Sequence, residues 1–101
     1  MKTVTICGSM RFEKEMREIA WELETRQGMN VLQCVFAPAS TEISAQQKEA
    51  LAKAHYRKIQ LSDAIYVADI GGYIGESVKR EIRFAREQGK EVIFHSQYRN
   101  P

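Results

Sequence analysis

Residues Leu61 to Ala85, LSDAIYVADIGGYIGESVKREIRFA, decide the fold. An apolar run from Ala64 to Ile70, broken only by Asp69, passes through Gly71-Gly72-Tyr73-Ile74-Gly75 into an amphipathic segment. That order predicts a strand, a glycine-rich loop and a helix, the arrangement by which α/β proteins aim backbone N–H groups and a helix N-terminus at a ligand, often an anion. At about 100° per residue, Val78, Ile82 and Ala85 form one stripe, and Glu76, Arg80, Arg83 and Glu87 lie opposite, spaced for Glu–Arg pairing. Glu81 falls on the shoulder of the stripe, one turn beyond Ser77 and on the side of Phe84. Two readings stay open for it: an ion pair with a neighbouring element, or a catalytic carboxylate aimed into a pocket roofed by the glycine loop.

Upstream, Lys2 to Cys7 alternates polar and apolar residues, includes four β-branched ones and stops at Gly8-Ser9, which predicts a strand. From Met10 to Arg26, Phe12, Met16, Ile19, Ala20 and Leu23 recur at helical spacing, and Gln27-Gly28 supplies the stop. Trp21 falls opposite this stripe, as a partly exposed residue or part of a subunit contact. Val31 to Phe36 reads as a second strand, ended by Ala37-Pro38. Ser44 with Gln47 three residues later forms a capping-box pattern for a helix reaching about Gln60. Leu51, His55 and Ile59 share one face of it, so His55 is either a hydrogen-bonded core residue or an imidazole at a site rim. Downstream, Gly89 ends the last helix, Glu91 to Phe94 forms a fourth strand, and a polar tail follows.

Strand and helix therefore alternate through seven elements. The expected fold is α/β: one domain over residues 1–101, a flavodoxin- or Rossmann-like three-layer sandwich on a parallel sheet in the order 2-1-3-4. Ligands of such sheets bind beyond the carboxyl ends of the strands, where the strand order reverses. Cys7-Gly8-Ser9-Met10-Arg11 after the first strand offers small residues, a hydroxyl and an arginine, a composition suited to phosphate. The turn after the third strand brings Asp69, Gly71, Gly72, Gly75, Ser77 and Glu81 to the same crevice.

Composition narrows the function. A chain of 101 residues argues for a single modest core. With 44% hydrophobic and 28% charged residues it reads as an ordinary globular protein, and no apolar run approaches the roughly 20 residues of a membrane span. The N-terminus is too short in its apolar part for a signal peptide, which makes the cytoplasm the expected location. The net charge of +2, with Lys and Arg scattered among Glu, gives little support to nucleic-acid binding. Cys7 and Cys34 fall in predicted strands without metal-ligand spacing, which points to reduced, buried thiols and no zinc site.

Ile6-Cys7-Gly8-Ser9-Met10-Arg11, Leu61-Ser62-Asp63-Ala64 and the run from Gly75 through Glu81-Ile82-Arg83-Phe84-Ala85 together resemble the nucleoside 2-deoxyribosyltransferase superfamily. The branch most resembled is the 2'-deoxynucleoside 5'-monophosphate N-glycosidases. The resemblance implies that Glu81 attacks the anomeric carbon of deoxyribose to form a glycosyl-enzyme, which water or another base resolves. It implies that Gly8, Ser9, Met10 and Arg11, with Cys7 beside them, hold the 5'-phosphate of a nucleotide, with Ser77 as a further candidate and Asp69 as an additional catalytic one. It implies no cofactor and no metal, and a homodimer in which C-terminal residues such as Ser96 or Asn100 reach the partner's site. The chain departs from the pattern at three points. The family's second acidic residue falls on or near His55, which could still donate a proton. The loop from Gly71 to Gly75 is longer, and Ile6 and Cys7 stand where family members often place a tyrosine. A nucleotide-binding module without turnover and an interaction scaffold of the same fold are the competing expectations.

Overall fold

The computed structural model describes residues 1–98. Its centre is a parallel sheet of β1 (Thr3–Cys7), β2 (Asn30–Leu32), β3 (Ala64–Val67) and β4 (Glu91–Phe94) in the order β2-β1-β3-β4. Val4 pairs with Val31 on one side and with Ala64 on the other, and Ala64 pairs with Glu91. The helices are α1 (Glu13–Thr25), α2 (Ala45–Leu61) and α3 (Glu76–Glu87). The expected fold class and strand order hold.

Side-chain alternation along β1 and β3 divides the core. Val4, Ile6, Ala64, Tyr66 and Ala68 pack with Met16, Ile19 and Leu23 of α1. Cys7, Ile65 and Val67 face the other way, against Ile59 of α2 and Val78, Ile82 and Ala85 of α3. This is the period-2 pattern of a strand buried on both faces. Each fully buried Ile, Val or Leu contributes about 1.5–3 kcal/mol. The chain moves outward from β1 to β2 through α1, then back past β1 to β3 through α2. Right-handed crossovers in opposite directions place these helices on opposite faces. The strand order therefore reverses between β1 and β3.

The segment Leu61-Ser62-Asp63-Ala64 fastens α2 to the sheet. Ser62 donates its hydroxyl to the Lys58 carbonyl at 2.8 Å, so Thr5 Oγ1, 2.6 Å away and fully buried, donates to Ser62 Oγ. Asp63 Oδ2 accepts from Thr3 N at 2.8 Å. At the other end of α2 the capping box is complete: Gln47 N donates to Ser44 Oγ and Ser44 N to Gln47 Oε1.

Three boundaries differ from expectation. β2 ends at Leu32 instead of Phe36. The Gln33 carbonyl accepts from Lys58 Nζ at 3.0 Å, which ties the chain after β2 to α2, and Cys34 lies outside any strand. The first helix begins with a 3₁₀ turn, Met10–Phe12, before α1 proper. β3 ends at Val67, although Ala68 N still donates to the Cys7 carbonyl at 2.8 Å. Among the described residues no helix is long and apolar enough to cross a membrane.

Candidate functional site

Gly8 follows β1 where the sheet meets α1. A Cβ there would stand 2.9 Å from Met16 Sδ and 3.1 Å from Ala68 Cβ, so close packing, with no unusual φ, demands the glycine. Ser9 then starts the 3₁₀ turn, its hydroxyl accepting from Arg11 N at 3.4 Å and its carbonyl from Phe12 N at 2.9 Å. The second loop is shaped by Gly71 and Gly72, whose φ of 61° and 81° lie in the left-handed region that side chains disfavour. Gly75 begins α3 without a side-chain cap, leaving the first N–H groups of the helix to other partners. The Arg11 guanidinium stacks over the Tyr73 ring at 4.2 Å, and Phe12 meets the same ring edge-on. These contacts tie the two loops together.

Between α2 and α3, above the end of β1, lies a cleft of about 340 Å³ lined by Gly8, Ser9, Met10, His55, Ser77 and Glu81. Its size falls at the small end of the range for small-molecule sites, about 300–1,000 Å³. Glu81 and His55 are largely buried, with side chains 14% and 11% exposed, and His55 Nε2 lies 3.2 Å from Glu81 Oε1. Nε2 is also 3.4 Å from Cys7 Sγ. The carboxylate accepts, which assigns the imidazole proton to Nε2 and leaves Nδ1, buried and without a hydrogen-bond partner, as the bare nitrogen. An unpartnered lone pair there costs less than an unpartnered N–H.

Cys7 is fully buried. Burial, and after it the neighbouring Glu81 charge, pushes its thiol well above the usual range, which disfavours the thiolate. Burial also raises Cys34, opposed by the Lys58 charge. The chemistry available to the cleft is therefore that of a carboxylate held by an imidazole and facing an open cavity.

The expected site residues divide into three groups. Gly8, Ser9, Met10, His55, Ser77 and Glu81 line the cleft, with Cys7 behind them against His55. Arg11, Gly71, Gly72 and Gly75 do not line it; Arg11 is exposed, stacks on Tyr73 and makes no ion pair among the described residues. Asp69 stands apart. Its Oδ2 accepts from Ser96 Oγ at 2.6 Å and its Oδ1 from Ser96 N at 2.9 Å, an arrangement that docks the turn after β4. Ser96 is thereby engaged within its own chain, and Asn100 lies outside the described residues.

Lys48 and Cys34 also line the cleft and were not anticipated. Lys48 precedes His55 by seven residues, two helical turns along the same face, a spacing visible in the sequence. Cys34 enters because the chain leaves the sheet at Gln33. A larger groove of about 730 Å³ runs along α1 on the other face of the sheet, lined in part by Glu18, Trp21, Tyr66 and His95, and holds none of the expected site residues. Neither a protein-family model nor a curated protein matches the chain.

Proposed function

We propose that the protein is a nucleotide-processing enzyme that cleaves or exchanges the N-glycosidic bond of a (deoxy)nucleoside 5'-monophosphate, with Glu81 as nucleophile. The observation that carries this reading is the carboxylate of Glu81 opening onto the cleft that the turn Gly8-Ser9-Met10 also lines. The Glu81 oxygen bonds to the anomeric carbon as the carbon–nitrogen bond to the base breaks, and the base leaves with a proton taken from solvent. Water, or a second base, then attacks the glycosyl ester, gives up a proton to solvent and frees the carboxylate. His55 Nε2–H, 3.2 Å from Oε1, orients the nucleophile. The 5'-phosphate lies against the turn after β1, with Lys48 on the cleft wall supplying positive charge and Arg11, next to Met10 in the chain, a second source of it. Neither a cofactor nor a metal takes part in these steps. The resemblance in the first loop and in Glu81 to Ala85 supports the same assignment, and extends it to a homodimer.

Incubation of the wild type and of Glu81→Gln and Glu81→Ala with a panel of deoxynucleoside monophosphates, followed by chromatography of released base, tests the reading. The wild type releases base and both variants lose at least a hundredfold in rate. Equal rates in all three remove Glu81 from the mechanism.

One observation favours a second reading, a nucleotide-binding module without turnover. Glu81 is the sole carboxylate among the described residues lining the cleft, whereas glycosidases of this mechanism pair two, about 5–5.5 Å apart. Calorimetric nucleotide binding with no base release over long incubation would select it.

A further inference from the structure

Cys7 Sγ, His55 Nε2 and Glu81 Oε1 form a cluster whose use as a hydrogen-bonded triad does not exhaust its chemistry. The three ligand atoms lie within 4.8 Å of one another. They come from β1, α2 and α3, so the packing of the fold and not one flexible loop sets their separation. A tetrahedral zinc ion with ordinary bond lengths places sulfur and nitrogen ligands about 3.5 Å apart and nitrogen and oxygen ligands about 3.3 Å apart. The observed distances are 3.4 Å for Cys7 Sγ to His55 Nε2 and 3.2 Å for His55 Nε2 to Glu81 Oε1. Two edges of a coordination tetrahedron are thus already present.

The surroundings fit as well. Cys7 and His55 are buried, and Glu81 and His55 border the cleft, so a fourth position faces the space a small molecule enters. Three protein ligands and one open position is the arrangement of a reactive zinc site. No Lys or Arg is hydrogen-bonded or ion-paired to any of the three among the described residues, so no fixed cation competes for their lone pairs.

We propose that Cys7, His55 and Glu81 bind one thiophilic divalent cation of the zinc type. Binding expels the Cys7 thiol proton to solvent and moves the imidazole proton from Nε2 to Nδ1, leaving sulfur, nitrogen and oxygen each with a lone pair for the metal. The Nδ1–H so created has no partner in the present packing, a cost smaller than the gain from a thiolate–imidazole–carboxylate set. Where Glu81 is the nucleophile of the proposed reaction, a bound cation occupies its oxygen and silences it. That consequence rests on the glycosidase reading, whereas the site itself does not.

Cobalt(II) serves as the probe, because thiolate ligation gives a near-ultraviolet charge-transfer band and tetrahedral geometry gives visible absorption. Reduced, chelator-treated full-length protein is titrated with cobalt(II), then with zinc(II) as competitor, in the wild type, Cys7→Ser, Cys34→Ser, His55→Gln and Glu81→Gln. The wild type takes up one equivalent with both bands. Cys34→Ser keeps the charge-transfer band, Cys7→Ser loses it, and His55→Gln and Glu81→Gln bind at least tenfold more weakly with unchanged circular dichroism. Absence of the band in the wild type, or its loss in Cys34→Ser with retention in Cys7→Ser, overturns the assignment. Should Cys7→Ser fail to fold, affinities unchanged in His55→Gln and Glu81→Gln overturn it equally. Cobalt binding without base release from metal-free protein refutes the glycosidase and leaves the metal site standing; base release without cobalt binding does the reverse.

Discussion

Glu81 and Gly8 do opposite kinds of work at the mouth of the same cleft. The carboxylate is kept 14% exposed, buried enough to be held by His55 and open enough to meet a ligand. Gly8 holds the turn beside it against Met16 and Ala68, where a methyl group has no room. Gly8→Ala forces that contact apart and destabilises the fold by about 1–3 kcal/mol. Urea denaturation reads this as a lower midpoint, and an unchanged midpoint contradicts the packing role. The sequence shows Gly8 as a turn residue, but the reason for it, a sulfur 2.9 Å from the absent Cβ, arises only when α1 folds back over β1. The Cys7–His55–Glu81 cluster was equally hidden. Its members stand 48 and 26 residues apart, a spacing that follows no local motif and depends on how α2 and α3 pack. Asp69 shows the converse: a carboxylate after a strand in a glycine-rich loop reads as a site residue, yet a serine of the next turn claims both its oxygens.

At the level of elements, local chemistry carried most of the information. The capping box at Ser44 and Gln47 starts α2 where the sequence places it, because both groups lie within one turn of each other. Ser44→Ala removes the acceptor for Gln47 N and costs about 1 kcal/mol. The same urea titration detects it, and Ser44→Asp, which restores an acceptor, recovers most of the loss. β2 was misjudged in length because its end is decided at a distance. Val31 to Phe36 has the composition of a strand throughout, but pairing with β1 stops at Leu32 and the chain beyond it is held to α2, where the Gln33 carbonyl accepts from Lys58 Nζ. Beyond the end of β2, Cys34 and Val35 line the cleft.

For the molecule as a whole, the order β2-β1-β3-β4 follows from alternating elements and crossover handedness, and it is legible in the sequence. The reversal between β1 and β3 is what brings the turn after β1 near the start of α3. The same burial that makes the core also sets its response to alkali. Burial raises the Tyr66 hydroxyl from its ordinary value of 10.0 to about 12, and burial raises the Cys7 thiol well above its own. Both are acids whose neutral form the fold favours. Above their unfolded values the unfolded chain holds fewer of these protons than the native one, so stability falls as pH rises. For Tyr66 it is complete below about pH 10 and declines through about pH 12, and for Cys7 the decline sets in above about pH 9. Urea midpoints measured from pH 8 to pH 12 fall accordingly, and Tyr66→Phe, which has no hydroxyl to ionise, shows a shallower decline between pH 10 and pH 12. A parallel decline in the variant contradicts the assignment to Tyr66.

One cleft joins the turn after β1 to the Glu81 carboxylate, and the proposed reaction there predicts a covalent intermediate. Mass spectrometry of protein acid-quenched during turnover of a deoxynucleoside monophosphate measures this directly. A deoxyribose 5-phosphate adduct on the peptide containing Glu81, absent from Glu81→Gln, is the expected result. An adduct on any other residue, or base release by Glu81→Gln at the wild-type rate, would contradict it.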